Sequence, residues 1–215
     1  MTADGKIAFA NHRFTPFAGQ RDQAHMMELR ATVDAVLSGA RTVDLSPATL
    51  GTGGAKYRRL RLAHGLSEYN LRVIVSGSGS VSPEAEIFKH TFSPILILTT
   101  QRAGQRRLKR LRELAVVKVC GKFEINFHAA FGWLRKQWGV KRLLCEGGGE
   151  VTDALIRAGL VDELHLTISP KVFGGRTAPT LADGTGFANL ADAARLKLKS
   201  HRQLGDELFL VFTRT

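Results

Sequence analysis

Short runs rich in Val, Ile and Leu recur at residues 34–38, 71–76, 94–99, 115–120 and 141–145. Each is too short for a stable helix and is apolar almost throughout, the pattern of strands buried on both faces. Between them, Phe127, Ala130, Phe131, Leu134 and Trp138 repeat at three-, four- and seven-residue offsets, opposite Arg135 and Lys136. That spacing predicts an amphipathic helix whose aromatic stripe is core rather than a cofactor box. A second helix is predicted over residues 20–32, with Ala24, Met27 and Ala31 on one side. Buried strands alternating with amphipathic helices argue for an α/β protein with a mostly parallel sheet covered on both faces.

Toward the C-terminus the period changes. Leu164, Leu166 and Ile168 alternate with His165 and Thr167 until Pro170; Leu196 and Leu198 alternate with Lys197 and Lys199; Gly205-Asp206 offers a turn before the strand-forming run 207–213. An antiparallel hairpin appended to the sheet is expected. The segment 174–186, rich in glycine and carrying Pro179, is long enough to cover a ligand. With no repeat, low-complexity tract or linker-like stretch, the 215 residues are expected to form one domain, 1–215.

Charge narrows the ligands. A net charge of +12 and a pI near 10.3 favour anionic partners: nucleic acid, an anionic surface or small phosphorylated molecules. Residues 56–61 and 106–112 are basic clusters, but no helix-turn-helix, zinc-finger or RNA-binding aromatic signature stands beside them. They read as solvated helix faces, and nucleic acid is not the expected partner. The two cysteines, Cys120 and Cys145, end or nearly end apolar runs and are expected as buried free thiols. No apolar stretch reaches membrane-spanning length and residues 1–6 carry no export pattern, so a cytoplasmic location is expected. There is no Gly-x-Ser-x-Gly elbow, the seven histidines lack metal-ligand spacing, and the zinc-deaminase signature is missing. No metal is expected.

The most informative stretch is Arg142-Leu143-Leu144-Cys145-Glu146-Gly147-Gly148-Gly149-Glu150-Val151-Thr152, a strand, a glycine turn and the start of a helix. Glycines there allow close backbone approach, and the first N–H groups of a helix face an anion such as a phosphate. An ordinary glycine-rich connection has the same sequence. Ser76 to Ser80 follows the strand 71–75, and Thr99-Thr100-Gln101-Arg102 ends the strand 94–98. Small side chains, hydroxyls and a guanidinium at strand carboxyl ends suit a dinucleotide, Arg102 matching a ribose 2′-phosphate. The competing reading of the latter is a solvated turn.

Taken in order, Asp4-Gly5-Lys6-Ile7-Ala8, Asp34 to Val43, Leu144-Cys145-Glu146-Gly147-Gly148, and Val161-Asp162-Glu163-Leu164 through Ser169 to Gly175 resemble the reductase domain of riboflavin biosynthesis. This is the RibD C-terminal type, a branch of the dihydrofolate reductase-like fold, and the likeness covers nearly the whole chain. It implies a three-layer α/β/α architecture, a homodimer and an NADPH-dependent reductase. It also implies a substrate that is a pyrimidine bearing a ribosylamino 5′-phosphate, reduced at its sugar carbon to a ribitylamino product. By resemblance Thr42, Gly147, Gly148, Gly149, Glu150, Val151 and Thr152 hold NADPH and Glu146 faces the substrate, with Ser76, Thr100 and Arg102 as further cofactor contacts. Hydride transfer needs no protein nucleophile, which agrees with the missing triad and metal site.

The chain departs from the family pattern in places. Met1 stands only three positions ahead of Asp4, and residues 13–17 read Arg-Phe-Thr-Pro-Phe where Ser and Trp are common. Where the family has Thr, then Asp-Asp-Pro and a later Arg, this chain runs from Thr42-Val43-Asp44-Leu45-Ser46-Pro47 to Gly53. Asp44 is the nearest carboxylate to take the missing catalytic place, or it is a turn acceptor. The altered segment keeps open a reductase of another heterocycle, and the charge keeps open a non-catalytic nucleic-acid-binding protein on the same fold.

Overall fold

The computed structural model describes residues 1–13 and 15–215; Phe14, within the departing segment 13–17, lies outside the described residues. The chain forms two compact units, one of residues 25–147 and one of residues 1–24 with 148–215.

The first unit is built on a five-stranded sheet in the order β4-β3-β2-β1-β5, parallel throughout. The strands are β1 (Ala35–Gly39), β2 (Leu71–Val75), β3 (Ile95–Thr99), β4 (Val116–Val119) and β5 (Leu143–Cys145), each within a predicted apolar run except that β1 extends one residue past its own, to Gly39. β1 and β3 are buried at every residue, as a strand covered on both faces must be. The helices are α1 (Gln20–Arg30, which crosses the boundary between the units), α2 (Ala40–Leu45), α3 (Ala55–Ala63), α4 (Gln105–Leu114) and α5 (Phe127–Trp138). The connections from β1 through β4 advance across the sheet in one direction, whereas β4 to β5 returns past β1. Right-handed crossovers then place α5 on the opposite face from the earlier helices, giving three layers. α5 coincides with the predicted helix: Phe127, Ala130 and Leu134 are buried, Arg135 and Lys136 exposed. Asn126 caps its start, accepting from the Ala129 N–H at 2.9 Å, and Gly139 ends it in the left-handed conformation.

Two arginines correct the sequence reading. Arg61, assigned to a solvated basic face, is 1% exposed: Nε donates to the Ser67 carbonyl and Nη1 to those of Arg30 and Val33 at 2.6–2.8 Å. Arg72 interrupts the apolar run of β2 and is equally buried, donating to the carbonyls of Ile87, His90 and Ser93 and stacking on Phe92 at 4.3 Å. Buried cations persist only when their donors are satisfied. α4 does carry its basic residues in solvent while Leu108 and Leu111 face the core.

In the second unit, β6 (Glu163–Ile168), β7 (Leu196–Leu204) and β8 (Glu207–Arg214) form a three-stranded antiparallel sheet in the order β6-β8-β7. The hairpin turning at Gly205-Asp206 is as expected. It pairs with β6 in a sheet of its own rather than extending the parallel one, because β8 takes its second set of hydrogen bonds along the whole of β6. α6 (Gly149–Arg157) precedes β6. Two of the quoted sequence segments meet here. Asp4 accepts from the Thr2 hydroxyl at 2.6 Å and from the N–H groups of Phe173 and Gly174 at 3.2 and 2.7 Å, locking the Asp4-Gly5-Lys6 turn to Phe173-Gly174-Gly175. These bonds, the Thr2 hydroxyl foremost, hold the Asp4 carboxyl down at about 2. The segment 174–186 is coil anchored at a few points: Ala178 is buried, the Pro179 carbonyl accepts from the Ile7 N–H, and Asp183 is held by the N–H and hydroxyl of Thr180.

Candidate active site

The strand order reverses between β1 and β5, and in open parallel sheets ligands bind at the carboxyl ends of strands beside such a reversal. β1 and β5 pair through Leu37 and Cys145; beyond them the Glu146 N–H donates to Leu37 O at 2.8 Å, and Gly147 O accepts from the Gly39 N–H at 2.9 Å and the Ser38 hydroxyl at 3.1 Å. The glycine turn therefore starts firmly registered on β1. Its three glycines have separate reasons. Gly147 has φ +88°, a left-handed conformation that side chains resist, with open space around its missing Cβ. Gly148 caps α6 in an extended conformation with no side-chain hydrogen bond. Gly149 opens the helix where a Cβ would stand 2.7 Å from Asp183 Oδ2 and 2.8 Å from the Thr180 carbonyl. With a glycine N-cap and no side-chain cap hydrogen bond, the start of this nine-residue helix is of the kind that receives an anion.

At the same carboxyl edge of the parallel sheet, α2 carries Thr42 directly after β1, Ser76 follows β2 and Thr100 follows β3. Thr100 staples two of these loops: its hydroxyl donates to Gly77 O at 2.7 Å and accepts from the Arg102 N–H at 3.2 Å. That hydroxyl is thus committed within the protein, and Arg102 stands exposed at the loop it shapes. Ser76 Oγ is buried and has no hydrogen-bond partner among the described residues, an open valence at a strand end that a ligand or water would fill.

Asp44 lies on the last turn of α2, exposed, and its Oδ1 accepts from the Ser82 N–H at 2.9 Å. Desolvation raises its pKa, against the pull of that N–H. The contact it makes is neither a local turn of its own segment nor a bond to another candidate site residue, but a tie to the loop after β2. Glu146 is engaged differently. Arg30, only 6% exposed, reaches it with two parallel bonds, Nε to Oε1 and Nη2 to Oε2, each 2.5 Å. The sequence reading did not single out Arg30. The signal available was a lone cation between Leu29 and Ala31 just ahead of the most buried strand. Both cysteines are free thiols, Cys120 buried and Cys145, next to Glu146, of intermediate exposure; desolvation pushes the Cys145 thiol up to about 11 and also raises that of Cys120.

A doubly wound parallel sheet whose strand order reverses between β1 and β5 defines the class, an α/β protein. The chain belongs to the RibD C-terminal domain family, whose model matches residues 1–210, so the resemblance read from the sequence segments holds. It is 33% identical over 213 residues to a 2,5-diamino-6-ribosylamino-4(3H)-pyrimidinone 5′-phosphate reductase of Methanothermobacter thermautotrophicus, covering 99% of this chain and 94% of that one. A reductase of the same name from Aquifex aeolicus is 29% identical, covering 97% and 90%. Among solved structures, a pyrimidine reductase-like protein of Corynebacterium diphtheriae superposes with a TM-score of 0.80 at 22% identity, over 100% of this chain and 89% of that one, which supports the fold.

Proposed function

We propose that this protein is an NADPH-dependent oxidoreductase of riboflavin biosynthesis. It reduces the ribosylamino group of 2,5-diamino-6-ribosylamino-4(3H)-pyrimidinone 5′-phosphate to a ribitylamino chain. The observation that carries the reading is the turn at Gly147, registered on β1 where the strand order reverses, in a chain 33% identical to a reductase of that name. The diaminopyrimidinone is chosen over its deaminated counterpart because the relatives at 29–33% identity bear its name.

NADPH supplies the hydride. Thr42, Gly147, Gly148, Gly149, Glu150, Val151 and Thr152 are its proposed contacts, with the backbone N–H groups at the start of α6 meeting phosphate oxygens. Ser76 completes its open valence on the cofactor, and Arg102 meets the 2′-phosphate with its planar fork. Thr100 contributes by shaping that loop. Glu146, held as a fixed carboxylate, orients the substrate through the lone pairs Arg30 leaves uncovered. Asp44 is retained as a second carboxylate in the altered 42–53 segment.

No helix among the described residues is long and apolar enough to cross a membrane, and the reading places the enzyme in the cytoplasm as one domain spanning 1–215. A homodimer belongs to the same reading; in this chain β7 is exposed along nearly its whole length, Leu196 and Leu198 included. The test is NADPH consumption with the purified diaminopyrimidinone phosphate, followed by mass spectrometry. A product heavier by two hydrogens supports the assignment. Turnover only of another heterocycle overturns the substrate.

A further inference from the structure

Arg30 does more than neutralise Glu146. Its third donor, Nη1, bonds the Gly51 carbonyl at 2.6 Å, so one buried guanidinium joins the carboxylate to the segment 49–53. That segment is fixed from several sides. Leu50, 1% exposed, adopts φ +53°, a conformation costly for a branched side chain. Buried Asn70 holds it there, donating to Leu50 O at 2.8 Å and accepting from the Thr52 hydroxyl at 2.9 Å. A Cβ at Gly51 would stand 2.5 Å from Phe92, and one at Gly53, where φ is +88°, would stand 2.9 Å from Met27 Sδ. Strained backbone persists where its surroundings over-determine it, and such places gather at functional sites. The segment overlaps the part of the chain that departs from the family's substrate pattern.

We propose that Arg30 is a positioning residue, which fixes the Glu146 carboxylate against the rigid 49–53 segment so that its free lone pairs point at the substrate. The inference rests on the reductase reading and on Glu146 facing the substrate. A fork geometry is required: both carboxylate oxygens and the Gly51 carbonyl are met from one plane, which a lysine, a single compact ammonium, does not reproduce. A misplaced orienting group costs turnover far more than cofactor binding.

The experiment is a double-mutant cycle on the full chain: wild type, Arg30→Lys, Glu146→Gln and the pair, each checked for folding by circular dichroism. kcat and KM are measured with the diaminopyrimidinone phosphate, and NADPH affinity by nicotinamide fluorescence. Arg30→Lys should lower kcat by roughly 10- to 100-fold, the scale of a catalytic group displaced by about 1 Å, with NADPH affinity held within about twofold. In the Glu146→Gln background the same change should alter kcat by less than about twofold, because the two act as one unit. A full penalty in both backgrounds, or none in the first, overturns the proposal. Normal turnover by Glu146→Gln overturns it by removing the role of Glu146 while leaving the reductase reading intact, whereas no NADPH turnover by the wild type refutes that reading itself. Should Arg30→Lys not fold, Arg30→Gln takes its place in the cycle with the same criteria.

Discussion

Replacing Gly149 by Ala separates packing from ligand binding at the glycine turn. The added methyl would lie 2.7 Å from Asp183 Oδ2, 3.0 Å from Asp183 Cβ and 2.8 Å from the Thr180 carbonyl oxygen. Relief to van der Waals contact requires a retreat of about 0.6 Å by a segment that cannot give freely, since Asp183 is pinned by the Thr180 N–H and hydroxyl at 2.7 and 2.5 Å. Overpacking of this kind costs about 1–3 kcal/mol. Restricting the unfolded chain returns roughly 0.4–1 kcal/mol. The net loss is roughly 1–2 kcal/mol, which for a chain of this length lowers Tm by about 2–8 °C. Thermal unfolding followed by circular dichroism measures it. Asp183→Ala should remove much of the clash, so the double variant should lose less than the sum of the single losses. A Gly149→Ala protein as stable as wild type would refute the packing of 180–183 on the start of α6.

Three further outcomes follow from the same structure. The Asp4 carboxyl is depressed to about 2, so its contribution is present above the usual 3.8 and lost as pH falls from there toward 2; Asp4→Asn should flatten acid unfolding over that window, and parallel wild-type and variant curves would count against it. Arg72→Met strands the carbonyls of Ile87, His90 and Ser93 without their donor and should cost roughly 3 kcal/mol in urea unfolding, a loss under about 1 kcal/mol contradicting the reading. Arg102→Leu should weaken NADPH by about tenfold and leave NADH unchanged, the loss of one charge-assisted contact; an equal effect on both cofactors would remove Arg102 from the 2′-phosphate.

What was legible in the sequence was what local pattern encodes. β1, β2 and β3 appear as apolar runs because both faces are covered, and α5 as a stripe because one face is. Gly205-Asp206 marks its turn because the backbone there demands it: Gly205 has φ +63°. The glycine run announced a turn between β5 and α6, but not that Gly149 answers to Asp183. Long-range polar contacts left no trace. Arg61 looks like any residue of a basic helix, and its carbonyl partners at Arg30 and Val33 lie 31 and 28 residues away. Arg30 and Glu146 are 116 residues apart, and nothing near either names the other. Asp44 was open between catalysis and a local turn, and its contact with Ser82, 38 residues on, could not be read from its own segment.

The central claim is that the glycine turn and the carboxyl edge of the parallel sheet hold NADPH. A side-by-side fluorescence titration with NADPH and NADH at moderate salt, on the wild type and Gly148→Val, tests it most directly. The account predicts saturable binding that prefers NADPH and is lost in the variant, whose branched side chain blocks phosphate from the start of α6. Undiminished NADPH affinity in Gly148→Val, or binding of neither nucleotide by the wild type, would contradict it.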